Sequence, residues 1–106
     1  LAPRPHNSGH YTIEACETSQ FENHLRTITG MALGSTAPTG HSAMINLIGT
    51  APAVEEVAAL PGVHTHLYGK SARAGRKLGH LNLVDPDEAA LRRRAGEVMD
   101  RLGIEL

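Results

Sequence analysis

Aromatic residues are nearly missing from this chain: Tyr11, Phe21 and Tyr68 make up 3% of its 106 residues, and there is no tryptophan. The core must therefore be aliphatic, and single-stranded nucleic acid, which is held by stacking on aromatic rings, finds few platforms. Cys16 is the sole cysteine, so no intrachain disulfide can form, which fits a reducing, cytoplasmic setting. No apolar run approaches the ~18 residues of a membrane span, and no signal peptide is visible. Acidic residues are missing from one long stretch. None lies between Glu56 and Asp85, whereas Lys70, Arg73, Arg76 and Lys77 all fall there. The net charge is only −1, so neither a nucleic-acid nor a membrane partner is expected, but one local region is cationic. An initiator methionine is also lacking. The chain enters Leu-Ala-Pro-Arg-Pro-His-Asn directly, and the expectation is that an N-terminal part precedes it; a processed terminus is the alternative.

What is present describes a small globular domain. Hydrophobic residues form 41% and charged residues 20% of the chain, a composition that supports folding rather than disorder. A chain of this size buries about 65% of the surface that it exposes when unfolded, enough for one modest core. Residues 1–18 read as polar and irregular, broken by Pro3, Pro5 and Gly9. Ser19 and Glu22 have capping-box spacing, Phe21, Leu25 and Ile28 form one apolar stripe, and Gly30 suits a helix end. Residues 34–42 read as a loop, Met44 to Ile48 as a strand closed by Gly49, and Ala53 to Leu60 as two helical turns stopped by Pro61-Gly62. Val63 to Tyr68 alternates as a strand, placing Val63, Thr65 and Leu67 on one face and His64, His66 and Tyr68 on the other. A basic glycine-rich loop from Gly69 to Gly79 leads to a return strand, His80 to Val84, as a long-looped hairpin. The last helix is expected to start with Asp85 as N-cap and Pro86 in its first turn, to turn Leu91, Ala95, Val98 and Leu102 to one side, and to end at Gly103.

Two polar constellations stand out. Arg4, His6, Asn7, Ser8, Gly9 and His10 lie on a bent segment whose successive N–H groups can cradle an anion, with Arg4 as a planar fork and His6 as a group that moves a proton near neutrality. A polar turn whose side chains cap local backbone is the other reading. Lys70, Arg73, Arg76, Lys77 and His80 surround glycines that let backbone approach a ligand. A sugar phosphate fits such a loop, and a solvated basic loop is the alternative. His64 and His66 share a strand face that can chelate zinc, but no third or fourth ligand is spelled out, and no metal site is assigned. Glu14 and Glu17 read as exposed carboxylates near a helix start, with ligands or bases as the alternative, and Cys16 as a packing residue.

Pro3 to Arg26 (PRPHNSGHYTIEACETSQFENHLR), Met44 to Gly49 (MINLIG) and His66 to Leu83 (HLYGKSARAGRKLGHLNL) resemble, in order and spacing, three signatures of the 5-(carboxyamino)imidazole ribonucleotide synthases. These are ATP-grasp enzymes, also called the ATPase subunit of phosphoribosylaminoimidazole carboxylase. One departure is Ala74, where the family commonly has proline. The resemblance implies an α+β fold: the end of an ATP-grasp core over residues 1–42, then a small β-rich C-terminal domain (a rudimentary hybrid motif) with a terminal helix over residues 43–106. It implies an ATP-dependent carboxylation of aminoimidazole ribonucleotide by bicarbonate, through carboxyphosphate, in purine synthesis. Arg4 and His6 would be catalytic, Asn7 and Ser8 would support that loop or reach phosphate as cofactor-binding residues, and Lys70 and Arg76 would grip the substrate 5′-phosphate, with Arg73, Lys77 and His80 around them. The family's magnesium-binding glutamate would lie just upstream of Leu1, so these residues alone should be inactive. A homodimer is a further expectation. A stand-alone phosphate- or nucleotide-binding module without turnover is the alternative.

Overall fold

A computed structural model describes residues 3–49 and 54–104. The architecture is α+β, as expected. A 3-10 turn at Asn7–Gly9 is followed by α1 (Thr12–Ala15), α2 (Gln20–Ile28), β1 (His41–Ile48), α3 (Val54–Ala58), β2 (Val63–Leu67), β3 (Lys77–Asp85) and α4 (Glu88–Leu102). The three strands form one antiparallel sheet in the order β1-β3-β2. β3, the last strand in sequence, is thus the central one.

The sheet has two unlike faces because its strands alternate. Ala43, Ile45 and Leu47 of β1 stand beside Leu83, Leu81 and Gly79 of β3, with Val63 next to Leu83. Together with Leu78 and residues of α3 and α4 (Val54, Val57, Leu91, Val98, Leu102) they form a wholly aliphatic core. At about 25 cal/mol per Å2 removed from water, this burial is the main apolar stabilisation available to so aromatic-poor a chain. On the opposite face one row crosses the sheet as Asn46, His80 and His66, and the next as Met44, Asn82 and His64. His80 is 2% exposed and Asn82 1%. Polar groups this deep must find partners, and α1 with the turn before it provides several.

Local chemistry fixes the helices. Ser19 accepts a hydrogen bond from the Glu22 N–H and caps α2, and Gly30 and Gly103 follow α2 and α4 in left-handed conformation. The apolar stripe of α2 differs from a core-facing stripe: Phe21, Leu25 and Ile28 are 37%, 59% and 65% exposed. α1 falls inside the segment expected to be irregular. β1 starts at His41, three residues before the expected strand, and β3 starts at Lys77, which shortens the basic loop to residues 68–76. Asp85 is not the cap of α4. Asp87 is, accepting from the Ala89 N–H. Asp85 ends β3 instead, accepts from the Asp87 N–H, and pairs with Arg94 at 3.0 Å, tying α4 to the sheet. The start of the Ala53–Leu60 turns, Ala53, lies outside the described residues; α3 covers most of the rest.

The β1–β3 register passes from Leu47 opposite Gly79 to Ile48 opposite Lys77, skipping Leu78. Such a bulge inserts one residue and reverses the alternation beyond it. Leu78 therefore joins the aliphatic core, and Lys77 turns to the polar face. Gly79 sits beside this bulge between both neighbouring strands. A Cβ there would run into the His66 carbonyl oxygen, with Leu67 Cα 3.0 Å away. Both obstacles are backbone, so relief requires strand movement. Gly79→Ala is expected to destabilise the fold by about 1–3 kcal/mol, as overpacking does. Gly96→Ala, on an open face of α4, should be neutral or stabilising by up to about 1 kcal/mol through helix propensity. Urea midpoints of the two variants check this, and equal midpoints would contradict it.

Candidate functional site

The N-terminal polar segment meets the start of β3, where the basic loop ends, over the polar face of the sheet. Their junction is a hydrogen bond from the Lys77 ammonium to Asn7 Oδ1. The bulge at Leu78 makes the junction possible by turning Lys77 toward this side. Gly49 fixes the other end of the loop. Its N–H donates to the Arg76 carbonyl at 2.7 Å, and its carbonyl accepts from the Arg73 N–H at 3.1 Å. Its φ of 83° explains why glycine closes β1.

Beneath the junction lies a buried network. Glu14 of α1 accepts from Asn82 Nδ2 at 2.6 Å and pairs with His66 Nε2. Asn82 Nδ2 also donates to the His10 carbonyl at 3.0 Å. The His66 and His80 rings stack at 4.7 Å with 20° between their planes, and the His10 ring lies 5.3 Å from His80 and 5.1 Å from Phe21. The Tyr68 hydroxyl is 2.7 Å from His80 Nδ1. Burial, reinforced by His66, His10 and Lys77, pushes His80 down to about 4, so its ring is neutral at pH 7. Burial raises Tyr68 above its ordinary range. A protonated phenol facing a neutral imidazole is best assigned as the donor, which puts the histidine proton on Nε2. Burial first, then Lys70, lowers Lys77, and burial followed by Lys77 lowers His10.

Other residues singled out by sequence are arranged less uniformly. His6 caps the Asn7–Gly9 turn by accepting from the Ser8 N–H, and its Nδ1 lies 3.0 Å from Ser8 Oγ. Gln20 clamps His6 from both sides, accepting from its N–H and donating to its carbonyl. Thus His6 and Ser8 follow the capping reading of this turn. Arg4 is exposed and donates to the neighbouring Pro5 carbonyl at 3.1 Å. The Arg76 guanidinium folds onto Ser71 at 3.3 Å, and Arg73 is exposed. Glu17 is exposed, but Glu14 is not: its side chain is 14% exposed and held by two partners. Asn82 has no signal in the sequence beyond its position in an alternating strand, and Glu14 none beyond its type. His64 is exposed while His66 faces Glu14. Among the described residues no group of three or more His, Cys, Asp or Glu side chains is placed to hold a metal ion.

A cleft of about 600 Å3 opens beside this network, lined by His10, Phe21, His66, Tyr68, Lys70 and His80 among others. Its walls offer imidazoles and rings, and its rim an ammonium, a combination suited to a planar ligand with an anionic group.

Residues 42–94, half of the chain, match the family described as phosphoribosylaminoimidazole carboxylase C-terminal domain. The chain belongs to this family. The carboxylase C-terminal domain so defined takes in β1, β2, β3, the basic loop and the first half of α4, and residues 1–21 match the ATP-grasp domain family. N5-carboxyaminoimidazole ribonucleotide synthase of Pseudomonas aeruginosa is 55% identical over 98 residues, covering 92% of this chain and 27% of that protein. The crystal structure of the synthetase from Thermus thermophilus superposes with a TM-score of 0.93 at 55% identity, over 99% of this chain and 29% of that one. The Aspergillus clavatus synthase, solved with ADP and 5-aminoimidazole ribonucleotide, has a TM-score of 0.86 at 37% identity, over 94% and 29%. The chain therefore spans about a quarter of the length of these carboxylase-family relatives.

The neutral state of His80 makes folding pH-dependent. In the unfolded chain His80 takes up a proton near its ordinary 6.5, and in the folded chain only near 4. Between these values the unfolded state binds more protons. The stabilisation present above pH 6.5 is therefore lost as pH falls toward 4, on the order of 3 kcal/mol in all. His10 shifts in the same direction. Urea unfolding at pH 7.5, 5.5 and 4.5 should show this decline, and His80→Gln should flatten it. An unchanged slope in the variant would contradict the assignment.

Proposed function

We propose that these residues serve as the C-terminal quarter of an ATP-dependent enzyme that carboxylates aminoimidazole ribonucleotide with bicarbonate. The observation that carries the reading is the contact between Asn7 and Lys77, which supports a common region for the N-terminal polar segment and the end of the basic loop in a chain of this family. Residues 1–42 then belong to the end of an ATP-grasp core and residues 43–106 to the small C-terminal domain. The uncovered stripe Phe21-Leu25-Ile28 fits a surface that the rest of such an enzyme covers. Cytoplasmic location and a homodimer complete the reading. Among the described residues no helix is long and apolar enough to cross a membrane.

The reaction brings several anions together: bicarbonate, the ATP phosphates and the ribonucleotide 5′-phosphate. Cations fixed beforehand stabilise the charge that develops as phosphate passes to bicarbonate and the carboxyl group then reaches the amine. Lys70 of the basic loop and Lys77 at the start of β3 are suited to the 5′-phosphate, with Arg73 and Arg76 on the loop between them. The exposed Arg4 guanidinium is free to turn toward bicarbonate or carboxyphosphate. His6, held by Gln20 and Ser8, is suited to orient a proton beside it. Asn7 and Ser8 shape the turn, with Asn7 Oδ1 engaged by Lys77. Magnesium is implied for the whole enzyme, but the described residues contain no ligand set for it.

The test uses a complete synthase in which these 106 residues replace the matching quarter of the Pseudomonas aeruginosa relative. Lys70→Ala is expected to raise the KM for the ribonucleotide about 10–100-fold, the value of a lost charge-assisted contact, with little change in kcat. Arg4→Ala should lower kcat about 100-fold by removing charge stabilisation. Unaltered KM in the first variant and unaltered turnover in the second would overturn the assignment.

A further inference from the structure

We infer that Tyr68 is a positioning residue whose ring holds the Lys70 and Lys77 ammonium groups together as a receptor for a phosphate monoester. The inference rests on the proposed binding role of the two lysines and adds the group that organises them. Each Nζ lies over the Tyr68 ring, 5.6 Å from its centroid. Two ammonium groups sharing one ring repel each other, and Lys77 is lowered partly by Lys70. A carboxylate would relieve that repulsion, but the sequence has no acidic residue between Glu56 and Asp85. Among the described residues none of the ion pairs involves Lys70 or Lys77.

The aromatic face does a different job from a carboxylate. It attracts both cations through its quadrupole, yet does not neutralise them. The full charge remains available to an incoming anion. A carboxylate would instead compete with the phosphate for the same protons. His80 anchors the far end of the ring through the 2.7 Å bond to the tyrosine hydroxyl. Being neutral, it adds no third positive charge beneath the pair. Lys77 is steadied further by Asn7, and Tyr68 and Lys70 both line the adjoining cleft.

Kinetics of the same complete synthase against pH test the role. Loss of the Lys77 proton should raise the ribonucleotide KM at alkaline pH. Tyr68→Leu removes the π face, and is expected to raise the neutral-pH KM about 5–10-fold and to move the alkaline rise about 0.5 pH unit lower, with kcat within about twofold. Tyr68→Phe keeps the face and should leave the alkaline rise in place, at a cost of less than about threefold in KM for the lost His80 bond. Tyr68→Trp, with the stronger face, should move the rise to higher pH, and it serves where the leucine variant does not fold. An alkaline rise that stays put in both the Leu and Trp variants, or a Phe variant as impaired as Leu, overturns the inference. Lys70→Ala separates the two levels. If it raises KM while Tyr68→Leu does not, Tyr68 alone loses its role; if it too leaves KM unchanged, the phosphate-binding reading fails as a whole.

Discussion

A buried polar face on the central strand governs the rest of this structure. β3 carries leucines on one side and His80 and Asn82 on the other, and both polar residues are almost wholly removed from water. Leaving such groups unpaired costs about 1–3 kcal/mol each. Glu14, the His10 carbonyl and Tyr68 provide their partners, and all but Tyr68 come from the first 15 residues. The requirement to satisfy the sheet's polar face therefore dictates where the N-terminal segment lies. That placement brings Asn7 within reach of Lys77, at the start of β3.

The satisfaction is incomplete. The buried atoms Asn46 Oδ1, Thr65 Oγ1, Asn82 Oδ1 and His80 Nε2 have no protein partner among the described residues. All but Thr65, which stands beside Leu81 on the other face, belong to the two polar rows across the sheet. Half-satisfied polar layers of this kind are costly for stability and are tolerated where a site is built. His80 remains neutral under these conditions, and the tyrosine whose hydroxyl it anchors lies under the Lys70 and Lys77 ammonium groups. Stability and the proposed binding role thus draw on the same residues.

Much of the fold is legible in the sequence because its signals are local. The N-cap at Ser19, the alternation through Val63 to Leu67, the leucines at 81 and 83 and the stripe of α4 all appear in their expected roles, while the Glu22 carboxylate goes to Arg26 instead of closing a capping box. Three features escaped because they depend on distant partners. The bulge at Leu78 exchanges the faces of Leu78 and Lys77, and no spacing within residues 77–85 announces it. Asp85 looks like a cap beside Pro86, but Arg94 claims its carboxylate. The stripe of α2 has helical periodicity, yet periodicity says only that a face is apolar, not that this chain covers it. Of the site, the sequence yields both cationic segments. It does not yield Glu14, Asn82 or the seating of His80 under Tyr68, since their meaning comes from pairings 68 residues apart (Glu14 to Asn82) and 12 apart (Tyr68 to His80).

The most direct test of this account is a double-mutant cycle on the contact that seats the N-terminal segment. Glu14→Ala, Asn82→Ala and the double variant are compared by urea unfolding at pH 7.5. Groups in one buried network couple by about 0.5–3 kcal/mol. A coupling of at least about 1 kcal/mol is predicted, with the double variant losing less than the sum of the singles. Additive losses, within about 0.3 kcal/mol, would mean that α1 does not dock on the polar face of β3, and the common region of the N-terminal polar segment and the end of the basic loop would fall with it.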